Sequence, residues 1–138
     1  MLYKVNRPLS YGRGYVYSIQ YHIVWCVKYR RKILIDDIEA FLKQEIEEIL
    51  KEMRIDILAM ECDKDHIHLL INCAPQHYIP TVIKILKGNT ARHLFMKFPY
   101  LKNKLYDGHL WNPSYFVSTV NDNTLSQVKE YIDKQKVK

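Results

Sequence analysis

Residues 15–28 alternate between apolar and polar positions. The intervening polar positions include His22, and Val24 is their apolar exception. A period of two over this length predicts a long strand with one face on the core. Residues 1–14, before it, are predicted to form an N-terminal arm that ends in a Gly-Arg-Gly turn. The apolar set of the strand is Tyr17, Ile19, Tyr21, Ile23, Trp25 and Val27.

The pattern changes to a helical period over residues 36–53. Asp36 and Glu39 have the spacing of a capping box, which predicts the start of this helix. A second helix is predicted from Pro80 to Phe98, because proline fits a first helical turn and another proline follows Phe98. The apolar stripe of the first helix is Ile38, Phe41, Leu42, Ile46, Ile49, Leu50 and Met53.

Three more strands and a last helix complete the pattern. Residues 54–62 and 65–73 predict a hairpin, residues 113–120 predict a fourth strand, and residues 123–136 predict a helix. The order strand, helix, strand, strand, helix, strand is the ferredoxin-like split motif, so the predicted fold class is α+β. We expect an antiparallel sheet with two helices on one face, an open second face, and an extra C-terminal helix within residues 121–138.

Length and composition narrow the class of protein. The chain has 138 residues, of which 48% are hydrophobic, and this fits one globular domain. No apolar run approaches the roughly 18 residues of a membrane helix, and the first residues lack the apolar segment of a signal peptide. Cys26, Cys62 and Cys73 have no C-x-x-C spacing, so we expect reduced thiols in a cytoplasmic protein.

The net charge of +6 is unevenly distributed. Residues 1–35 carry seven Lys or Arg and no acidic residue, whereas residues 36–65 carry most of the acidic side chains. This pattern favours a polyanion partner, most simply nucleic acid, although a solvated basic surface is the simpler alternative. The side chains that we expect to contact the nucleic acid, which would be DNA if the family resemblance given below holds, are Arg13, Arg30, Lys84, Lys87 and Arg92.

Gly88 lies in the middle of the second predicted helix, beside Lys87. Glycine at such a position costs about 1 kcal/mol relative to alanine. Close approach of DNA to the backbone would explain this glycine, and so would tight packing of the helix against another element.

Two short stretches carry candidate chemistry. His66 and His68 are two apart on a predicted strand and so share a face, where two imidazoles can ligate one divalent metal. The alternative is a pair of surface histidines, since zinc would want a third ligand that no neighbouring residue clearly supplies. Tyr131 and Gln135 share a face of the last helix, and a tyrosine can act as a covalent nucleophile. Taken alone, they are a boundary tyrosine and a solvated glutamine.

A His-hydrophobic-His strand followed by a tyrosine on a downstream helix is the arrangement of HUH single-strand endonucleases. The sequence resembles one family of them, the single-tyrosine transposases of the insertion sequence 200/605 type (TnpA-like). The resemblance covers nearly all of residues 1–138 as a single domain. It is carried by five segments in the correct order: Tyr21 to Arg30, Asp65 to Leu70, Leu86 to Arg92, Leu110 to Tyr115 and Tyr131 to Gln135.

The resemblance implies a mechanism and a set of partners. Tyr131 would be the nucleophile, and His66, His68 and Gln135 would hold Mg²⁺ or Mn²⁺, with no nucleotide cofactor. The substrate would be single-stranded DNA beside hairpins at the ends of an insertion sequence, cut and rejoined through a 5′-phosphotyrosine. The protein would act as a homodimer whose active sites are shared between subunits.

Three alternatives stay open at this point. A domesticated transposase of the kind associated with repeated palindromes (REP sequences) would use the same chemistry in another biological setting. A non-catalytic module that binds single-stranded nucleic acid would use the same sheet without the histidines and the tyrosine. A zinc hydrolase would cleave its substrate without any covalent adduct.

Overall fold

The computed structural model of the protein describes residues 9–105, 108–120 and 124–135. The helices are α1 (Asp36–Glu52), α2 (Ile79–Lys97) and α3 (Thr124–Lys134). Short 3-10 segments follow the third strand at Lys28–Arg30 and α2 at Pro99–Lys104. None of the described helices is both long and apolar enough to cross a membrane. The strands are β1 (Ser10–Gly12), β2 (Tyr15–Tyr17), β3 (Ile19–Cys26), β4 (Asp56–Cys62), β5 (His66–Cys73) and β6 (Phe116–Thr119).

Strands β3 to β6 form one antiparallel sheet in the order β4-β5-β3-β6. The central pair is β3 with β5, in register from Ile19 opposite Cys73 to Cys26 opposite His66. Helix α1 lies between β3 and β4 in the chain, and α2 lies between β5 and β6. The predicted ferredoxin-like α+β fold with an additional C-terminal helix is therefore confirmed.

The first predicted strand is two strands, because the chain changes partner at Ser18. Strand β2 pairs with β1 in a separate hairpin, whereas β3 enters the main sheet. The C-terminal end of the predicted arm therefore forms part of this hairpin. Residues 1–8 of the arm lie outside the described residues. Gly14 in the hairpin turn has φ +84, a conformation that favours glycine, and a side chain on Gly12 would displace the Tyr15 ring.

The face of the sheet under α1 and α2 is apolar. From the sheet, Ile23 and Trp25 of β3 and Ile67 and Leu69 of β5 are wholly buried there. The predicted stripe of the first helix packs against them, together with the buried side of α2, so the helical period over residues 36–53 is confirmed. The buried helical residues are Ile38, Leu42, Ile46 and Leu50 of α1, and Ile79, Val82, Ile83, Leu86, Thr90 and Leu94 of α2.

The predicted cap of α1 is wrong. Ile35 occupies the extended cap position, no side chain caps the helix, and Asp36 lies in the left-handed region with φ 50. Packing sets the direction in which the chain enters α1, since Leu34 is buried and its amide donates to the Lys64 carbonyl at 2.9 Å. Tertiary contacts thus replace the capping box that the sequence predicts.

The second face of the sheet is covered, which corrects the prediction of an open face. Helix α3 lies against it and buries Val128, which is 2% exposed. Beneath the helix, Val24, Cys26 and Leu70 of the sheet are also buried. The apolar side of this short amphipathic helix therefore lies on apolar positions of a sheet face that also carries buried polar side chains.

Candidate active site

The two histidines predicted as metal ligands lie side by side on the face of β5 that α3 covers. The ring centroids of His66 and His68 are 4.8 Å apart, and both residues are less than one tenth exposed. They border a cavity of about 430 Å³, whose opposite wall includes Val128 and Ile132 of α3. The imidazoles are therefore neighbours in a recess between sheet and helix, and not two separate surface side chains.

Asp65 sets the orientation of His66. The Asp65 carboxylate accepts a hydrogen bond from His66 Nδ1 at 2.6 Å and a second from Arg30 Nε at 3.0 Å. Burial opposes ionisation of Asp65, but its contacts with His66 and Arg30 outweigh burial and lower its pKa. An ionised carboxylate only accepts, so Nδ1 carries a proton and Nε2 is the ring nitrogen left to face another partner. A carboxylate that accepts from the second ring nitrogen, as Asp65 does, is a usual partner of a metal-ligating histidine.

His68 is held neutral by its surroundings. Burial, with smaller contributions from His66 and His22, lowers the pKa of His68 to about 4. His22 of β3 lies against it, with ring centroids 5.6 Å apart, and burial lowers the pKa of His22 to about 4 as well. At neutral pH both rings are uncharged, which is the form that ligates a metal.

The predicted nucleophile lies on the other side of α3. The hydroxyl of Tyr131 is 2.7 Å from Ser114 Oγ, and its ring lies 5.9 Å from that of Phe116, between centroids. Gln135 accepts a hydrogen bond from the same Ser114 hydroxyl at 3.4 Å. Burial raises the pKa of Tyr131 to about 12. In this position the phenol is protonated at neutral pH, and no cation of the described residues is among the causes that shift its pKa.

The structure brings His66 to His68 and Tyr131 to Gln135, but it does not join the two pairs. The histidines line the recess with Val128 and Ile132, whereas Tyr131 lines a separate one with Phe116. Among residues 9–105, 108–120 and 124–135, no group of three or more His, Cys, Asp or Glu side chains could hold a metal ion.

The five basic residues predicted to contact DNA fall into two groups. Arg13, at the β1–β2 turn, and Lys84 and Arg92 of α2 are exposed, as phosphate contacts require. Arg30 instead pairs with Asp65 and donates through Nη1 to the Ile132 carbonyl at 3.3 Å. Lys87 donates to the carbonyls of Asn112 and Ser114, at 2.7 and 2.9 Å.

Three residues of the site, Asp65, His22 and Ser114, were not singled out by sequence reasoning, and Arg30 was predicted only as a DNA contact and not as a residue that holds α3. His22 had a detectable signal, because the alternation of its strand places it on the polar face. Asp65 adjoins His66, and Ser114 lies in a segment that carried the family resemblance. Their partners are remote in sequence, however: Arg30 and the Ile132 carbonyl are 102 positions apart.

The chain matches the family described as "Transposase IS200 like" over residues 15–135. It is 45% identical to the ISDra2 transposase TnpA of Deinococcus radiodurans over 124 residues, which cover 90% of this chain and 89% of that protein. It is 30% identical to the transposase for insertion sequence element IS200 of Salmonella typhimurium, over 86% of this chain and 78% of that protein.

Solved structures agree in fold. A crystal structure assigned as a transposase from Deinococcus radiodurans R1 superposes with a TM-score of 0.89 at 42% identity, covering 94% of this chain and 99% of that one. A REP-associated tyrosine transposase bound to a REP hairpin superposes with a TM-score of 0.56 at 14% identity, covering 90% and 68%, and shares the fold alone. The chain therefore belongs to the family of IS200-like transposases.

Proposed function

We propose that this transposase cleaves and rejoins single-stranded DNA at the ends of an insertion sequence, through a covalent bond to Tyr131. The observation that carries the proposal is the pair of neighbouring imidazoles, His66 and His68, one of them oriented by Asp65. A non-catalytic binding module has no use for two buried histidines beside a carboxylate, because burying polar groups is unfavourable. Tyr131, on the helix that covers them, supplies the nucleophile.

The residues at the histidine pair fit a divalent metal. His66 presents Nε2, since Nδ1 is held by Asp65, and His68 is neutral. We assign the third position to the amide oxygen of Gln135, an oxygen donor that suits Mg²⁺ or Mn²⁺, while the two nitrogens favour Mn²⁺. When bound, such a metal would neutralise charge on the scissile phosphate and orient it for in-line attack.

Cleavage forms one bond and breaks one. The phenolic oxygen of Tyr131 bonds to phosphorus, the phenol loses its proton, and the bond to the 3′ oxygen breaks to leave a 3′-hydroxyl. The DNA remains attached as a 5′-phosphotyrosine. Attack of a 3′-hydroxyl on this ester reverses the step and rejoins DNA, so no nucleotide cofactor is required.

Tyr131 and Gln135 must leave their present contacts for this reaction. Burial against Ser114 and Phe116 keeps the phenol protonated, whereas ionisation needs a nearby positive charge. We propose that the reactive arrangement places α3 with its tyrosine toward a histidine pair, and that in a homodimer this pair belongs to the partner subunit. The short connection between β6 and α3, residues 120–123, is compatible with such an exchange.

An active insertion sequence is favoured over a domesticated gene. The relatives with 45% and 30% identity are transposases of insertion sequences, whereas the REP-associated protein matches in fold alone at 14%. The substrate that we propose is therefore single-stranded DNA with hairpin ends.

The test is the covalent adduct. Wild-type protein incubated with a labelled single strand and Mn²⁺ should give a protein–DNA band that survives denaturation. Tyr131→Phe removes one oxygen and almost no volume, so the band should disappear while DNA binding is retained. His66→Ala and excess chelator should each abolish it too, because each removes the metal.

Tyr115→Phe is the matched control, since Tyr115 is an exposed tyrosine just before β6 and should keep full activity. An adduct in Tyr131→Phe would move the nucleophile elsewhere. Cleavage without any adduct would favour a zinc hydrolase, and equal cutting of the fully paired duplex would contradict the single-strand substrate.

A further inference from the structure

Gly88 has no explanation inside the protein. It lies in the middle of the 19-residue helix α2, where glycine is among the least favourable residues. A Cβ built on Gly88 meets nothing within 4 Å, so neither helix packing nor backbone strain requires a glycine there. The open space at Gly88 is part of a groove outside the candidate active site.

This groove has walls that are formed before any ligand binds. It runs between α2 and the segment 108–113 and has a volume of about 350 Å³, within the range of small-ligand sites. Trp111 Nε1 donates to Thr90 Oγ1 at 3.0 Å, which fixes the segment to the helix. Lys87 Nζ ties down the same segment through the carbonyls of Asn112 and Ser114.

The lining of the groove suits a nucleotide. It combines the basic side chain of Lys28 with the aromatic rings of Phe95 and His109, beside the Lys87 ammonium that the carbonyls of Asn112 and Ser114 hold in place. No acidic side chain is among its described lining residues. Exposed cations lie one turn before and one turn after Gly88 on α2, at Lys84 and Arg92. Aromatic faces beside lysines are the usual means of holding unpaired bases and their phosphates.

The groove adjoins the proposed nucleophile. Ser114 is shared between them: its carbonyl accepts from Lys87 on the groove side, and its hydroxyl contacts Tyr131 on the other. A strand that leaves the groove therefore meets the loop Asn112 to Ser114, which holds Tyr131 until α3 is reoriented.

We propose that this groove binds unpaired nucleotides of the DNA strand, with the strand passing so close to Gly88 that a side chain there would displace it. The inference rests on the proposed function and adds to it a second contact site, on the helix side of the sheet. Glycine is retained at position 88 for binding, at the expense of helix stability.

The test is a pair of substitutions that separates stability from binding. Gly88→Ala and Gly88→Leu introduce better helix formers and should raise Tm by about 3–5 °C. Both should weaken binding of a fluorescent mixed-sequence single strand, by about fivefold for alanine and more than tenfold for leucine, because the larger side chain fills more of the groove. Binding is measured by anisotropy without metal, so that no cleavage occurs.

Thr81→Ala is the matched control, because it improves helix propensity at an exposed position of α2 outside the groove and should leave affinity unchanged. Unchanged affinity in both Gly88 variants would overturn the inference, and so would a fall in Tm, which would reveal an internal contact. An equal loss of affinity for the annealed duplex would also overturn it. No binding by the wild type would instead refute the proposed function, and this inference with it.

Discussion

The two faces of the sheet are both covered by helices, yet they are built differently. The face under α1 and α2 is apolar throughout, and each helix buries four or more residues on it. The face under α3 holds Gln20, His22, His66 and His68, all buried polar side chains. Helix α3 has only 11 residues, shorter than the roughly 12–15 at which an isolated helix becomes even marginally stable in water. The first face stabilises the fold, and the second keeps polar groups under a helix that is weakly held.

A hydrogen bond from Arg30 holds α3 in addition to the small apolar contact between the helix and the sheet. Arg30 Nη1 donates to the Ile132 carbonyl in the last turn of the helix, where a cation is favourable. The residues that present this guanidinium are strained, since Tyr29 and Arg30 have φ of 58 and 51. A single reversible contact therefore links the tyrosine helix to Asp65 and, through it, to His66. We therefore expect that this helix can be released without unfolding the core.

The largest predicted effect tests whether the histidines on the second face act with Tyr131 of the same subunit or with that of the partner subunit. Tyr131→Phe subunits are mixed with His66→Ala/His68→Ala subunits and allowed to exchange. If sites are shared, each heterodimer holds one site with both histidines and a wild-type tyrosine. We expect the inactive mixture to regain adduct formation, up to a substantial fraction of wild type, on a denaturing gel.

The two parent variants alone are the controls, and heterodimers are counted independently with differently tagged subunits. A mixture that contains heterodimers and stays inactive would show that each site is assembled within one chain. The chemistry proposed for Tyr131 would be unaffected by that result.

A smaller effect is expected when each face loses one buried side chain. Leu42→Ala on the α1 face should lower the free energy of unfolding by about 2–5 kcal/mol, since it leaves a cavity in the main core. Val128→Ala removes less and acts on a detachable helix, so we expect about 1–2 kcal/mol, confined to α3. Denaturant unfolding measures the first, and hydrogen exchange of the α3 amides measures the second.

If Val128→Ala lowers the global free energy of unfolding as much as Leu42→Ala does, the claim that α3 is held more weakly than the core is wrong. In that case α3 would unfold only with the core, and a reorientation of Tyr131 toward the histidines would require global unfolding.

The sequence predicts the first face better than the second, for a physical reason. Periods of two and 3.6 depend on local geometry, so the stripe of α1 and the alternation of β3 identify the core directly. The split at Ser18 and the covering of the second face depend on which segments meet in space. Asp36 shows the same limit, because burial of Leu34 overrides a good local capping pattern.

The candidate site likewise has residues that the sequence predicts and contacts that only the folded structure shows. His66, His68 and Tyr131 are named by their spacing and by the family resemblance. The pairing of Asp65 with His66 and the contact of Tyr131 with Ser114 are distances in the folded chain, and no spacing rule gives them. The separation of Tyr131 from the histidines also follows only from the direction in which α3 lies.

The last prediction concerns pH, and it distinguishes the faces by their titratable groups. Burial lowers the pKa of His22 and His68 to about 4, whereas in the unfolded chain both have the ordinary value near 6.5. Between these values the unfolded state binds protons and the folded state does not, so acid favours unfolding. The stabilisation is complete above pH 6.5 and is lost progressively as the pH falls to 4, by about 3 kcal/mol per histidine.

Denaturant unfolding at pH 7, 6, 5 and about 4, in chelator, measures this slope. Glutamine does not titrate. The free energy of unfolding of His22→Gln should therefore fall less with decreasing pH than that of the wild type, by the contribution of one histidine. Parallel curves would mean that His22 is protonated equally in both states, and the second face would then be wetter than its burial indicates. A flatter curve, with the stability above pH 6.5 little changed, would show that the face under α3 is the part of the molecule that acid weakens first.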